Sequence, residues 1–325
     1  MGKQGVMFRP RRLGHANLFV GELERSMEFY TKVCGLSEVF REPPIKAGFL
    51  SNGSSHHDVA LIEISARARK AGDGSTLISG KRGTRPGLNH FGWEMENEDV
   101  LVEAYERAQE SGLAIHRTAN HQVSHSVYLF DPEGNYHEFY ADATKDWREV
   151  WRDGNTEVLT VKWSPEAAER TTDPRYAVDP DLVPHPEAII PSRQIGYGAL
   201  VARDYAGLVD FYTEVAGLEV VQGGRDCSYT ELTGPLARHD LVILPEEGNR
   251  APGMHHVGFE LQSEDELESA ESAVRARGIE PEASIDSSTK RSFFLLDPDG
   301  IRLEFYAARD GAWEEMSGVD VAYQL

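Results

Sequence analysis

The sequence is poor in cysteine, has far fewer basic than acidic residues, and has no long apolar run. Its two cysteines, Cys34 and Cys227, cannot build a disulfide framework, so we expect a protein of the reducing cytoplasm. With 33 basic against 54 acidic residues, the formal net charge of −21 argues against binding of nucleic acid or of an anionic membrane surface. No apolar run approaches the roughly 20 residues that cross a bilayer, and the amino terminus lacks the apolar stretch of a secretory signal. Small molecules are therefore the expected partners.

The sequence does contain one pattern that occurs four times. Its first copy has an alternating strand, RLGHANLFV, then a helical segment, ELERSMEFYTKVCGL, and then three short β-like segments, SEVFRE, AGFLSN and HDVALIEI. Gly35 is expected to end the helix, and four apolar residues at helical spacing line one of its faces: Leu23, Met27, Tyr30 and Cys34. The other copies begin at GLNHFGWEM, RQIGYGALV and GMHHVGFEL. Each copy is predicted to fold as a β-α-β-β-β unit.

The four units are arranged as two pairs. The first and third share a helix ending, FYTKVCGL and FYTEVAGL, whereas the second and fourth end in FDPEGNYHEFY and LDPDGIRLEFY. This predicts an α+β protein with two tandem domains, residues 8–144 and 191–325, each folded as an open, barrel-like mixed sheet. Residues 145–190 would connect the domains, and the prolines of TTDPRYAVDPDLVPHPEAIIP favour an extended path for that part of the connection. Three tryptophans indicate that this connection lies against the domains: Trp147, Trp151 and Trp163.

A glutamate follows each DPxG turn, and it is expected to face inward. On a strand of large apolar residues, a buried carboxylate is costly unless it is paired or binds a metal. Alignment of the units adds two further positions, which gives one set of three residues per domain: His15, His90 and Glu138 in the first, and Tyr197, His256 and Glu304 in the second.

The first set has the composition of a metal site. Two imidazoles and one carboxylate leave coordination positions open, which is the arrangement expected of non-heme Fe(II) that holds both substrate and dioxygen; Mn(II) accepts the same ligands. A closed structural zinc site would need four ligands. Each histidine taken alone could be an ordinary core or surface residue, and the recurrence of ligand types at equivalent positions favours the metal. Because Tyr197 interrupts the second set, the second domain is predicted to carry a degenerate site.

The units resemble those of the vicinal oxygen chelate superfamily, and most of the chain is similar to the two-domain type I extradiol ring-cleavage dioxygenases of the catechol 2,3-dioxygenase kind. HHDVALIE resembles the strand that carries their acid-base histidine, and NHQVSHSVYLFDPEGN resembles the segment with a substrate-directed histidine and a tyrosine near the metal. The resemblance implies catalytic roles for His57, His121 and Tyr128, an iron cofactor, and extradiol cleavage of an aromatic diol by dioxygen. It also implies a homo-oligomer. In the best-known members the working metal lies in the second domain, whereas the residues here assign it to the first.

Other interpretations stay open at this point. A glyoxalase-like isomerase or lyase would take a fourth ligand from the first unit, for which Glu63 is the candidate because it could share a strand face with His57. A bleomycin-resistance-type protein would bind a ligand without metal, although the ligand set counts against it. The polar segments SNGSSHH and NHQVSH could also hold ordinary surface histidines, and the residues concerned are His56, His57, His121 and His125. Tyr128 could likewise be a simple core residue.

Overall fold

The structure is a computed structural model that describes residues 7–70, 76–152 and 162–325. Its strands form two curled mixed sheets of eight strands each and one two-stranded hairpin, β5–β6. The first sheet and the hairpin contain β1 (Arg12–Val20), β2 (Glu38–Glu42), β3 (Ala47–Leu50), β4 (Val59–Glu63), β5 (Arg69–Lys70), β6 (Thr76–Ile78), β7 (Gly87–Glu94), β8 (Ile115–Asn120), β9 (Ser124–Phe130) and β10 (Tyr136–Asp142). The second sheet contains β11 (Gln194–Ala202), β12 (Glu219–Gly223), β13 (Thr230–Thr233), β14 (Leu241–Pro245), β15 (Gly253–Glu260), β16 (Ala283–Asp286), β17 (Lys290–Leu296) and β18 (Arg302–Ala308).

Both sheets have the same strand order and the same strand directions. The order is β2-β3-β4-β1-β7-β10-β9-β8 in the first sheet and β12-β13-β14-β11-β15-β18-β17-β16 in the second. In the first sheet, β1 runs parallel to β4 and antiparallel to β7, and β7 runs parallel to β10. The second sheet repeats these pairings with β11, β14, β15 and β18. This topology confirms the predicted α+β fold of β-α-β-β-β units; the β5–β6 hairpin was not predicted.

Few helices accompany the sheets. They are α1 (Leu23–Glu28), α2 (Glu98–Glu110), α3 (Trp147–Arg152), α4 (Tyr205–Asp210), α5 (Glu264–Ala276) and α6 (Val321–Gln324). Short 3₁₀ turns lie at Pro43–Ile45 and Pro165–Ala167, and π-helical turns at Phe29–Val33 and Phe211–Ala216 extend α1 and α4. None of the helices in the described ranges has the length and apolar character that a membrane span needs.

The helical face predicted for the first unit is buried as expected. Leu23 and Met27 lie on α1, Tyr30 lies on the π-helical turn, and Cys34 follows it; the most exposed of the four, Leu23, is 7% exposed. Gly35 has φ +82°, a left-handed conformation that favours glycine and ends the helix. The sequence therefore predicted the buried face correctly but not the change from α-helical to π-helical hydrogen bonding.

The connection between the sheets is partly helical. Trp147 and Trp151 are buried and lie four residues apart on α3, and Trp163 is buried as well. The prediction that these tryptophans pack against the rest of the protein is confirmed, whereas the helix α3 was not predicted. The domain boundaries at 144/145 and 190/191 stay a prediction.

Two reciprocal hydrogen bonds join the sheets. Asp58, at the start of β4, accepts a hydrogen bond from the backbone N–H of Ile195 at 3.3 Å. Asp240, at the start of β14, accepts one from the backbone N–H of Leu13 at 2.6 Å. Each sheet thus contributes a buried carboxylate that accepts a hydrogen bond from the first strand of the other sheet.

Candidate metal centre and cavity

Three neighbouring strands of the first sheet bring the predicted ligands together. His15 on β1 lies opposite Gly92 on β7, and Gly92 lies opposite Glu138 on β10, so the two ligands belong to one row across the sheet. A Cβ atom on Gly92 would lie 2.0 Å from His15 Nε2, and glycine is the residue that leaves room for the imidazole. His90 lies two residues before Gly92 and therefore faces the same side of β7.

The donor atoms of these three residues converge. Glu138 Oε2 lies 3.1 Å from His15 Nε2 and 2.9 Å from His90 Nε2, and the two nitrogens are 3.4 Å apart. All three side chains are buried. Two nitrogens and one carboxylate oxygen at this spacing fit a single divalent cation of the kind that accepts imidazole and carboxylate together.

Hydrogen bonds orient two of the three side chains. Ser126 Oγ donates to Glu138 Oε1 at 2.5 Å, which leaves Oε2 turned toward the histidines. His90 Nδ1 donates to Asn89 Oδ1 at 2.8 Å, so the Nε2 lone pair of a neutral His90 is free for a metal. The guanidinium of Arg82 also donates to Asn89 Oδ1, at 2.9 Å, and holds that amide in place.

Burial and proximity set the protonation states of the cluster. Burial lowers the pKa of His15 to about 4 and also lowers the pKa of His90. Burial alone would raise the pKa of Glu138, but its interactions with both imidazoles outweigh burial and hold that pKa well below its usual range. At neutral pH the cluster therefore contains neutral imidazoles and an ionised carboxylate, which are the forms that bind metals.

A cavity of about 70 Å³ opens beside the cluster, enough for roughly five water molecules. Its apolar wall includes Phe49, Ile62, Ile78 and Trp151. Its polar lining includes His57, His121 and Tyr128, so the structure brings all three predicted catalytic residues to one cavity next to the predicted ligands.

His57 is in direct contact with one of the predicted metal ligands, His15. Its ring stacks on that of His15 with centroids 4.0 Å apart, and its Nε2 donates to Asn17 Oδ1 at 3.1 Å. A neutral imidazole bonded in this way has its acceptor lone pair on Nδ1, and Nδ1 has no hydrogen-bond partner among the described residues. Burial lowers the pKa of His57 well below its usual value, so the neutral form is present at pH 7.

His121 and Tyr128 form a pair at the opposite side of the carboxylate. His121 Nε2 lies 2.9 Å from Tyr128 Oη and 3.7 Å from Glu138 Oε1. Burial raises the pKa of Tyr128, so its hydroxyl stays protonated and can donate a hydrogen bond. His125 is not part of this group, because it pairs with Glu98 at 2.9 Å and stacks on Trp163.

The surface interpretation of the segment before β4 is wrong. Residues 51–58 are all buried, and His56 pairs through Nδ1 with Asp142 at 3.2 Å. Distant parts of the chain cover this polar segment: Asn52 donates to the main-chain oxygen of Ser192 and accepts from the backbone N–H of Val183. Local polarity therefore does not predict exposure here. Donor atoms of His15, His56 and His57 also lie within 4.8 Å of one another, although His56 is already engaged by a carboxylate.

The structure contradicts Glu63 as a fourth ligand. Its carboxylate pairs with Lys46 and accepts from the backbone N–H of Leu23 at the start of α1, on the side of the sheet that faces the helix. His57 precedes β4 in an irregular bend, so its even sequence separation from Glu63 does not place the two side chains on one face. Ile62, which does line the cavity, is the neighbour that alternation turns inward.

Several cavity residues were not singled out from the sequence. Asn17 lies two residues after His15 on the same face of β1, and strand alternation could have identified it. Two arginines of the cavity had no sequence signal. Arg82 lies in a loop, with its guanidinium 3.9 Å from the ring centre of Tyr136, and a local pattern does not show where a loop packs. Arg117 lies on the edge strand β8, and a local pattern does not show which strand β8 pairs with.

Comparisons with known proteins identify the family and the fold. The model of the Glyoxalase/Bleomycin resistance protein/Dioxygenase superfamily matches residues 12–139 and 194–305. A catechol-2,3-dioxygenase of Bacillus subtilis (strain 168) is 27% identical over 294 residues, which cover 88% of this chain and 93% of that protein. The 2,3-dioxygenase LapB from Pseudomonas sp. KL28 has a TM-score of 0.65 at 18% identity, covering 97% of this chain and 98% of LapB. The Mn(II)-bound glyoxalase from Novosphingobium aromaticivorans has a TM-score of 0.64 at 16% identity, covering 94% and 86%. These two structural similarities establish likeness of fold alone.

Proposed function

The chain belongs to the glyoxalase/bleomycin resistance protein/dioxygenase superfamily, and from this premise we propose that it is an extradiol dioxygenase, which cleaves an aromatic vicinal diol beside the diol with dioxygen. The observation that carries this proposal is the convergence of His15, His90 and Glu138 at a cavity that also contains His57 and Tyr128. The similarity to a catechol-2,3-dioxygenase along most of both chains supports the same reaction.

The proposed metal is Fe(II), with Mn(II) as the alternative that the same donors accept. His15 and His90 would bind it through Nε2 and Glu138 through Oε2. When bound, a ferrous ion would hold diol and dioxygen together and allow electrons to pass between them. Three protein donors are fewer than the metal coordinates, and this leaves room for both reactants.

His57 is proposed as the acid-base residue. Its unpartnered Nδ1 can accept a phenolic proton from the diol, since the ring is neutral at pH 7. Asn17 holds the opposite nitrogen and so fixes the ring while the proton moves. The stack on His15 keeps the ring within a few ångströms of the metal donors, where a bound diol would lie.

His121 and Tyr128 are proposed to orient the substrate. The protonated hydroxyl of Tyr128 can donate a hydrogen bond to a substrate oxygen and stabilise the negative charge that develops there. His121 holds that hydroxyl at 2.9 Å and fixes its direction. The apolar wall would limit the number of water molecules in the cavity and offer a surface on which an aromatic ring can pack.

The test is reconstitution with Fe(II) without oxygen, followed by addition of substituted catechols and air. Dioxygen uptake with one equivalent of a yellow ring-opened semialdehyde is the expected result, and Mn(II)-loaded protein is assayed in parallel. Protein that holds iron but consumes no dioxygen with any catechol would contradict the proposal. Assembly as a homo-oligomer and a cytoplasmic location remain part of the proposal; size measurement in solution tests the first.

A further inference from the structure

The second sheet contains a buried cluster at the positions equivalent to the proposed metal centre. Tyr197 lies opposite Gly258, and Gly258 lies opposite Glu304, in the same row that His15, Gly92 and Glu138 form in the first sheet. Tyr197 Oη lies 2.8 Å from His256 Nε2 and donates to Glu304. The backbone frame of a metal site is thus retained there, with one nitrogen donor replaced by a phenol.

A lysine enters this cluster from the neighbouring strand. Lys290 on β17 occupies the register position that Ser124 holds on β9 of the first sheet. Its Nζ lies 2.6 Å from Glu304 Oε1 and 3.1 Å from Tyr197 Oη, and it donates to the main-chain oxygen of Leu325. The ammonium group thus forms an ion pair with Glu304 and donates hydrogen bonds to the other two oxygens. Both Lys290 and Glu304 are almost completely buried.

We propose that the ammonium group of Lys290 takes the place of a metal ion in the second sheet, which makes this cluster a permanent metal-free cation centre. Tyr197 alone does not decide this, because a tyrosine oxygen can bind a metal. A divalent ion would have to displace a buried ammonium from its carboxylate, and two cations sharing Glu304 would repel each other strongly in a medium of low polarity. The chain is therefore expected to bind one metal ion, in the first sheet.

Counting bound metal in designed variants tests this proposal. Purified protein, the single variant Tyr197→His and the double variant Tyr197→His/Lys290→Ser are loaded with Mn(II), and metal per chain is measured after removal of free ion. We expect one ion in the wild type and in Tyr197→His, because the ammonium still blocks the site, and two in the double variant. A second ion in Tyr197→His, or none gained by a folded double variant, would overturn the proposal.

A second measurement does not depend on metal. Lys290→Met leaves Glu304 buried without its cation, and we expect the melting temperature to fall by roughly 10 °C. The double variant Lys290→Met/Glu304→Gln lacks both charges, and its melting temperature should return most of the way to that of the wild type. Equal melting of Lys290→Met and wild type would refute the cation centre. Absence of metal from the wild type would instead refute the proposed function, so the two failures can be told apart.

Discussion

Replacement of Gly92 by alanine should weaken metal binding strongly, although Gly92 is not itself a proposed ligand. The new Cβ would lie 2.0 Å from His15 Nε2 and 2.1 Å from Cε1, whereas ordinary contact begins at 3.4 Å, so the ring must retreat by about 1.4 Å. It cannot slide freely, because His57 stacks on it at 4.0 Å and Tyr140 at 5.0 Å. Metal–ligand distances tolerate only about 0.2 Å. We therefore expect metal affinity to fall by at least about 100-fold.

The second sheet supplies a matched control for this substitution. A Cβ on Gly258 would meet Tyr197 Cε1 at 2.3 Å, so Gly258→Ala introduces the same kind of clash at the equivalent position. Overpacking should cost each variant about 1–3 kcal/mol of unfolding free energy. Only Gly92→Ala should lose metal.

The assay is titration of metal-free protein with Mn(II), with free ion followed by electron paramagnetic resonance, and urea unfolding as the measure of stability. Wild-type affinity in Gly92→Ala, or an equal loss in Gly258→Ala, would refute the assignment of His15 as a ligand.

Three further changes test separate parts of the site and the fold. His57→Gln should keep the metal and lower turnover by about 10²–10⁴-fold; full turnover with iron bound would exclude His57 as the acid-base residue. Glu63→Gln should keep the metal and cost under about 1 kcal/mol, because it removes only the partly exposed pair with Lys46; iron lost with this change would favour the isomerase instead. Burial lowers the pKa of His239 to about 3, so this histidine favours the folded state above pH 6.5 and its contribution is lost as the pH falls toward 3. Between pH 7 and 5 the wild type should therefore lose about 2 kcal/mol more unfolding free energy than His239→Asn, and parallel urea curves at both pH values would contradict this.

The fold could be predicted because the same information occurs four times in the sequence. Strand alternation, the buried helical face that ends at Gly35 and the paired DPxG turns each agree with the others, and the structure follows them. The short helix α3 was not predicted from the local sequence, since the packing of Trp147 and Trp151 against the first sheet decides its conformation.

The residues of the candidate site could be predicted where equivalent positions of the repeated units carry the same residue type. They could not be predicted where burial depends on contacts with distant parts of the chain. His15, His90 and Glu138 were found by alignment of the units. The burial of His56 was missed because its cover comes from elements that follow much later in the sequence, with Asp142 on β10 pairing with its ring and Trp151 on α3 contacting it edge-on. Lys290 carries no local signal at all, because its role depends on Glu304 across the strand pair.

The two clusters differ in how their buried charge is balanced. In the second sheet the carboxylate of Glu304 faces a lysine ammonium, so the cluster is neutral and complete with the residues of the chain alone. In the first sheet Glu138 faces the hydroxyl of Ser126 and imidazoles that burial keeps neutral, and the equivalent of the lysine is a serine, Ser124, whose hydroxyl has no hydrogen-bond partner in the described ranges. A buried carboxylate without a cation is unfavourable, so the first cluster is the one that gains from an added positive ion. On the two proposals made above, one lysine separates the cluster that would bind a metal from the one that would exclude it, although both rest on the same backbone register.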